Sequence, residues 1–467
     1  MSEHAKHEAA QFVRFTGVER GEYRRGDLVQ EHLGLAQHAA SGRGEDQDLP
    51  PPVALVTTTG DEPGPFQVID ERDHVAAVDA QPRRDVALAL GPELGQAAQD
   101  RVLVLAQPGR GEVLGAEPAD HCREPGELVG LPVSQGRGLH VSNRFGQDAL
   151  VIGEIRVAVH LGGGEIDPAT DVAVTTDGNG AAKIPPGGTL QTDPAALRLP
   201  DDAELAVSML ITVSGGPATY HHPALETSYV VAGNAAADAR LRNADPVTSL
   251  FWITGVDARA AGPGSAIAAF GDSLTNGDGT TAGAGRRFPD QLARRAGQPV
   301  LNLGISGNRL LRDGFGQAGL SRFEPDVPGI PGVTHAIIAL GINDIGFAGL
   351  YNLPAPPAED ITGGLTSLAR RARAAGLTPV GGTLPPCEGT TYPGFFSAAG
   401  EDTRVAVNEW IRGTAEFEAV IDIDAALRDP DRPGSLSPTL DSGDHLHPND
   451  AGAQAMARII DLRELTA

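Results

Sequence analysis

Across residues 263–467 the chain alternates short apolar runs with stretches of helical length, and the apolar runs end at glycine or small polar residues. The runs 265–270, 300–305, 333–340, 378–382 and 419–423 predict strands, and 288–296, 358–375, 403–413 and 450–462 predict helices. Strands that alternate with helices in this way point to a parallel sheet covered by helices on both faces. The expected class of this zone is α/β, and in such sheets the chemistry gathers at the carboxyl ends of the strands.

The rest of the chain has two other characters. Residues 137–260 carry runs rich in Val, Ile, Thr, Leu and aromatics at 149–160, 170–176, 205–213, 227–232 and 249–256, separated by Gly162-Gly163-Gly164 and Asp177-Gly178-Asn179-Gly180. Short strands without a long helical stretch predict an all-β sandwich or jelly-roll-like domain. The Asp-Gly-Asn-Gly run lacks the further acids and closing Glu of a calcium loop, so it predicts a hairpin turn. Residues 1–136 contain no Asn, no Trp and a single Ile, Ile69. Their apolar pieces, such as 53–56, 86–90 and 102–105, lie between Pro, Gly and charged clusters and never settle into a period of 2 or 3.6. Little packed structure is expected there; the competing reading uses 85–90 and 101–106 as strands of a small mixed domain. The abrupt change is also what a wrong start or an upstream frameshift would produce. The expected division is thus 1–136, 137–260 and 263–467.

Charge narrows the partners. Asp plus Glu total 61 against 36 Lys plus Arg, a net charge of −25, which argues against nucleic acid or an anionic membrane surface. The two cysteines, Cys122 and Cys387, stand alone, so neither a disulfide framework nor a zinc knuckle is expected. No run approaches the roughly 20 apolar residues of a membrane span, and the first fifteen residues are charged where an export signal needs an apolar stretch. As written the chain reads as cytoplasmic; a misassigned start would hide an export signal and leave secretion open.

Three strand ends and one loop carry reactive side chains. The run 265–270 leads into Gly271-Asp272-Ser273-Leu274-Thr275-Asn276-Gly277, which sets a serine hydroxyl at a strand's carboxyl end, although the block alone reads equally as a turn. The next strand leads into Ser306-Gly307-Asn308-Arg309 and the third into Gly341-Ile342-Asn343-Asp344. A Gly307 N–H and the Asn343 amide are donors suited to a developing oxyanion. Near the C-terminus, Asp444-His445-Leu446-His447-Pro448 places an acid where it can orient an imidazole. Spacing leaves both histidines open as the base, because 445 and 447 share a face in extended chain.

In this order the four blocks resemble the SGNH hydrolases, also called the GDSL esterase/lipase family: Phe270 to Gly277, Gly304 to Asn308, Gly341 to Asp344 and Asp444 to Pro448. The resemblance implies a flavodoxin-like, three-layer α/β/α domain with Ser273 as nucleophile, His447 as general base and then acid, and Asp444 orienting His447. It implies an oxyanion hole from the N–H groups of Ser273 and Gly307 with the Asn343 side chain, and neither metal nor cofactor. Only His447 keeps the family's Asp-x-x-His interval, which leaves His445 exposed or structural. No Gly-x-Ser-x-Gly pentad surrounds Ser273, which separates the chain from the α/β-hydrolases. The β zone, through Val141-Ser-Asn-Arg-Phe-Gly146, is similar to the β-rich region ahead of the hydrolase domain in a bacterial subgroup.

The implied activity is hydrolysis of short-chain carboxylic esters, acetyl groups on carbohydrate among them, with a small-molecule or carbohydrate ester as partner. The alternatives are transfer of the acyl group to an alcohol, or carbohydrate binding beside an inert hydrolase domain. Asp272 and Asp344 are expected to cap loop backbone. Arg309 is expected either to touch a polar substrate group or to pair with an acid. His221 and His222 are expected at the surface or packed rather than in a cleft, and His4 and His7 at most bind metal adventitiously.

Overall fold

The computed structural model describes the backbone of Gln11–Thr16 and residues 138–465, apart from 200–202, 215 and 259–264. The expectations for 85–90 and 101–106, and for His4, His7 and Cys122, fall outside those residues.

The long runs of the β zone form its central pair, Leu150–Gly162 antiparallel to Leu205–Ser214. Leu150, Ile152, Ile155 and Val157 on one strand and Val207, Met209 and Ile211 on the other are buried in one core. Gln11–Thr16 lies between Leu205–Ser214 and Thr227–Ala232, so a segment of unlike composition enters this sheet. Leu139–Ser142 pairs separately with Thr189–Gln191 and Ile253–Val256. The Asp-Gly-Asn-Gly run is a two-residue turn: Thr176 and Asn179 exchange backbone hydrogen bonds of 2.7 and 2.9 Å, and Asp177 and Gly178 both have positive φ. That is the geometry of a type I′ hairpin turn. The run 249–256 is broken into two strands at Trp252, whose φ is +59° and whose N–H turns aside to the Thr219 carbonyl.

The α/β zone consists of β1 (Ala266–Gly271), α1 (Ser273–Asn276), α2 (Phe288–Ala296), β2 (Val300–Gly304), α3 (Gly319–Asp326), β3 (Val333–Ala339), α4 (Ile342–Leu350), α5 (Ala358–Ala374), β4 (Thr378–Gly382), α6 (Ala398–Gly413), β5 (Ala419–Ile421), α7 (Ile423–Leu427) and α8 (Asp450–Arg458). Its strands are all parallel, in the order β2-β1-β3-β4-β5. This is a doubly wound order that reverses direction at β1. β1 is buried at every residue, which is why it reads as an unbroken apolar run. Helices α2, α7 and α8 make one contacting set and α3, α4, α5 and α6 another. Right-handed crossovers put these sets on opposite faces of the sheet.

Four helices lack a signal in the apolar pattern: α1, α3, α4 and α7. Two are single turns, and α3 and α4 carry glycine, proline or adjacent acids that read as loop. The last helix stops at Arg458 rather than 462, because the chain turns there and begins a 3-10 turn at Leu462.

Candidate active site

Ser273 is the first residue of α1, at the carboxyl end of β1. Asp272 caps that turn, accepting the Leu274 N–H at 3.1 Å, and burial pushes its carboxyl up to about 7. The turn is tight on both sides. A Cβ on Gly271 would lie 2.0 Å from Thr275 Oγ1, and Gly277 ends the turn at φ +104°. Small residues at these positions are therefore what lets the strand deliver its serine in so few residues.

One loop, ahead of α8, completes the array. His447 Nε2 lies 2.9 Å from Ser273 Oγ, and His447 Nδ1 lies 2.7 Å from Asp444 Oδ2. The other Asp444 oxygen accepts the backbone N–H groups of Leu446 at 3.0 Å and His447 at 2.8 Å, and the Ser442 hydroxyl at 3.0 Å. Burial would raise Asp444, but the His447 hydrogen bond and charge with the two backbone donors hold it well below the usual carboxylate range. An ionised Asp444 accepts the hydrogen bond of Nδ1–H, which keeps the proton on Nδ1 and leaves Nε2 to accept from the serine. Burial would pull His447 down, yet Asp444 outweighs it and the imidazole is raised above its usual value. His445 is elsewhere: its φ is +58°, its side chain is half exposed, and its ring meets Asp441.

The ends of β2 and β3 approach the same serine turn. A Cβ on Gly304 would lie 2.1 Å from the Asn276 nitrogen. Gly307 has φ +72° and packs under the Phe315 ring. Neither the Ser273 nor the Gly307 N–H is engaged by another group among the described residues. Asn343 Nδ2 donates one hydrogen to the Asn308 carbonyl at 3.0 Å and retains a second. Asp344 accepts the N–H groups of Leu310 at 2.7 Å and Leu311 at 3.0 Å, the capping role its position predicted.

Several supports have no counterpart among the sequence expectations. Buried Asn308 donates to the carbonyls of Phe315 and Gln317 and accepts from Arg322 Nε at 2.9 Å. Arg322 in turn donates to the Gly271 carbonyl at 2.8 Å and the Leu303 carbonyl at 3.0 Å, tying the ends of β1 and β2 together. Its guanidinium lies 3.9 Å over the Phe270 ring. Arg309, expected to meet an acid or a substrate, donates to the Asp313 carbonyl and lies over Phe347. Aromatic residues are only 4% of the chain, yet several gather here. Tyr392 stands edge-on to His447 at 6.2 Å, and Phe395, Phe347 and Phe315 continue the row at 6.2, 5.9 and 5.7 Å to reach Gly307.

The β zone also touches the site. His221 is packed rather than exposed, its Nε2 2.8 Å from Asn276 Oδ1, and burial lowers its pKa. His222 meets Ser249 Oγ at 3.0 Å. Among the described residues no cluster of three or more His, Cys, Asp or Glu side chains is placed to hold a metal ion, and no helix is long and apolar enough to cross a membrane.

Residues 269–455 match the sequence model of the GDSL-like lipase/acylhydrolase family. No curated protein matches the chain. Solved structures similar to it include a GDSL-like lipase from Bacteroides thetaiotaomicron, 18% identical over 43% of this chain and 88% of that one, with a TM-score of 0.34. The aryl esterase of M. smegmatis is 18% identical over 42% of this chain and 95% of its own, TM-score 0.34. Est24, a carbohydrate acetylesterase from Sinorhizobium meliloti, is 16% identical over 41% and 94%, TM-score 0.32.

Proposed function

We propose that this chain, a carboxylic ester hydrolase whose residues 269–455 form a GDSL-like lipase/acylhydrolase domain, cleaves its substrate through an acyl-enzyme on Ser273. The observation that carries the reading is the unbroken array from Asp444 through His447 to Ser273, with contacts of 2.7 and 2.9 Å. A neutral serine is a poor nucleophile until a hydrogen-bonded base takes its proton. His447 accepts that proton as Ser273 Oγ bonds to the ester carbonyl carbon, and the imidazolium is stabilised by ionised Asp444. The carbonyl oxygen becomes an oxyanion, met by the N–H groups of Ser273 and Gly307 and the second Asn343 hydrogen. His447 then returns the proton to the departing alkoxide. Water repeats the sequence on the acyl-serine, releasing the acid and restoring the hydroxyl.

The reading extends to short acyl groups, acetyl on a carbohydrate hydroxyl among them. Its support is crowding: Phe315 closes on Gly307, and Phe347 packs against Phe315. The test is hydrolysis of a p-nitrophenyl ester series, from acetate to long chains, by the intact protein and by Ser273→Ala. Release from short esters that vanishes in the variant supports the reading. Equal release by both proteins refutes it.

A further inference from the structure

We propose that His221, supplied by the β zone, is a positioning residue of the active site, holding the Asn276–Asp278–Ser306 network that backs both the nucleophile and the Gly307 loop. The inference rests on the acyl-enzyme reading above.

A strap from 220 to 226 lies against the serine turn. Its first residues, Tyr220–His221, pair with Leu250–Phe251 in the β zone. Its later ones reach across: the Leu225 carbonyl accepts the Gly283 N–H at 2.7 Å, the Pro223 carbonyl accepts Asn276 Nδ2 at 3.0 Å, and Glu226 sits 3.7 Å from Arg287. His221 thus approaches Asn276 from a segment anchored on both sides.

Asn276, three residues after the nucleophile, is 2% exposed. Its Nδ2 faces three acceptors: the Pro223 carbonyl, Asp278 Oδ1 at 2.7 Å and Ser306 Oγ at 3.1 Å. Its Oδ1 faces His221 Nε2 at 2.8 Å. A carbonyl oxygen only accepts, so Nε2 carries the hydrogen, and burial keeps the ring neutral in that single tautomer. Without this donor the Asn276 oxygen is buried and unpaired, a state worth avoiding by rotation. Rotation, however, would turn that oxygen onto the Asp278 carboxylate. His221 is the group that fixes the amide with its oxygen on a donor and its nitrogen on the acceptors.

What hangs on that orientation is catalytic geometry. Ser306 Oγ donates to Asp278 Oδ2 at 2.6 Å, and Ser306 immediately precedes Gly307. The Asp278 N–H donates to the Ser273 carbonyl at 2.9 Å, and the Asp278 charge acts on His447. One network therefore fixes the serine turn, the oxyanion loop and part of the field at the base.

The test uses the full chain as parent, His221→Ala, His221→Gln, Ser306→Ala and the His221→Ala/Ser306→Ala pair. The readouts are the rate at which an organophosphonate labels Ser273, followed by intact mass, the kcat and KM for p-nitrophenyl acetate, and the melting temperature. His221→Ala should slow labelling and kcat by about 10- to 100-fold with KM unchanged, the scale of a displaced reacting group. His221→Gln, whose amide can donate to Asn276, should restore most of the rate. The pair should be no slower than the slower single variant, because both act through one network. If His221→Ala does not fold, His221→Phe fills the volume without the donor and should show the same slowing. Parent-like rates in His221→Ala or His221→Phe, failure of His221→Gln to restore a normally melting protein, or multiplying effects in the pair would overturn the inference. Should the parent be labelled at Ser273 yet hydrolyse no ester, the ester reading falls while the labelling rates still decide the role of His221.

Discussion

Substituting Gly307→Ala probes the proposed oxyanion loop at a position where the structure leaves little room. The residue has φ +72°, in the left-handed region that costs an L-residue about 1–2 kcal/mol. A Cβ there would lie 2.8 Å from both Cγ and Cδ2 of Phe315 and 3.0 Å from its Cβ. The ring is partly exposed and can swing clear of the first two contacts. The third involves an atom fixed to the Phe315 backbone, so the two loop segments must part. That movement carries the Gly307 N–H away from the substrate oxygen, and loss of one such donor costs about 2.7–4 kcal/mol, or roughly 10²- to 10³-fold in kcat. The expected result is a stability loss of about 1–2 kcal/mol in urea titration from the backbone strain. In steady-state hydrolysis of p-nitrophenyl acetate, kcat should fall by the donor factor while KM stays in place, because the oxyanion forms only near the transition state. Adding Phe315→Ala should recover little of the rate, because the contact with Cβ and the strained φ both remain, whereas adding Phe315→Gly removes that contact and should recover part of it. A Gly307→Ala protein with parental kcat would refute the reasoning, since neither the left-handed backbone nor the N–H would then matter to the reaction.

Further outcomes follow from the same geometry. Asp444→Asn should reduce kcat/KM by about 10⁴-fold and move its acid limb to lower pH, because the charge that raises His447 is gone; a pH–rate profile reads both. In the parent that limb should lie above the ordinary imidazole value, with activity falling as pH drops through it. Asn343→Ala should lower kcat by about 10²- to 10³-fold with little change in KM, measured on the same ester. Glu226 is raised from 4.5 to about 7 by burial, with Arg287 partly opposing, so the folded protein binds its proton more tightly than the unfolded chain. Stability should therefore decline as pH rises from 4.5 through about 7, and urea midpoints across that range should flatten in Glu226→Gln.

The α/β zone was legible because β1 is buried along its whole length and reads as an unbroken apolar run, and the other strands alternate with stretches of helical length; 288–296 and 378–382 are expected and observed with the same bounds. The order of the blocks also pointed to the residues that meet, since three sit where a strand ends and the fourth lies in the loop before the last helix. The supports were not legible. Arg322 lies in a short helix interrupted by Pro325, and nothing in its neighbourhood announces that it ties Gly271 to Leu303. The aromatic row draws on residues scattered from 315 to 395, each unremarkable in a chain poor in aromatics. His221 is separated from Asn276 by 55 positions and by a change of domain character, so only the docking of the strap reveals their contact. The Trp252 break likewise depends on a partner, Thr219, that no local pattern names.

The central claim, that Ser273 carries the acyl group, is tested most directly by rapid quenching of p-nitrophenyl acetate turnover followed by intact mass and peptide mapping. The account predicts one acetyl group per chain during turnover, on the peptide containing Ser273 and absent from Ser273→Ala. Acetylation at another residue, or undiminished turnover by Ser273→Ala, would contradict it.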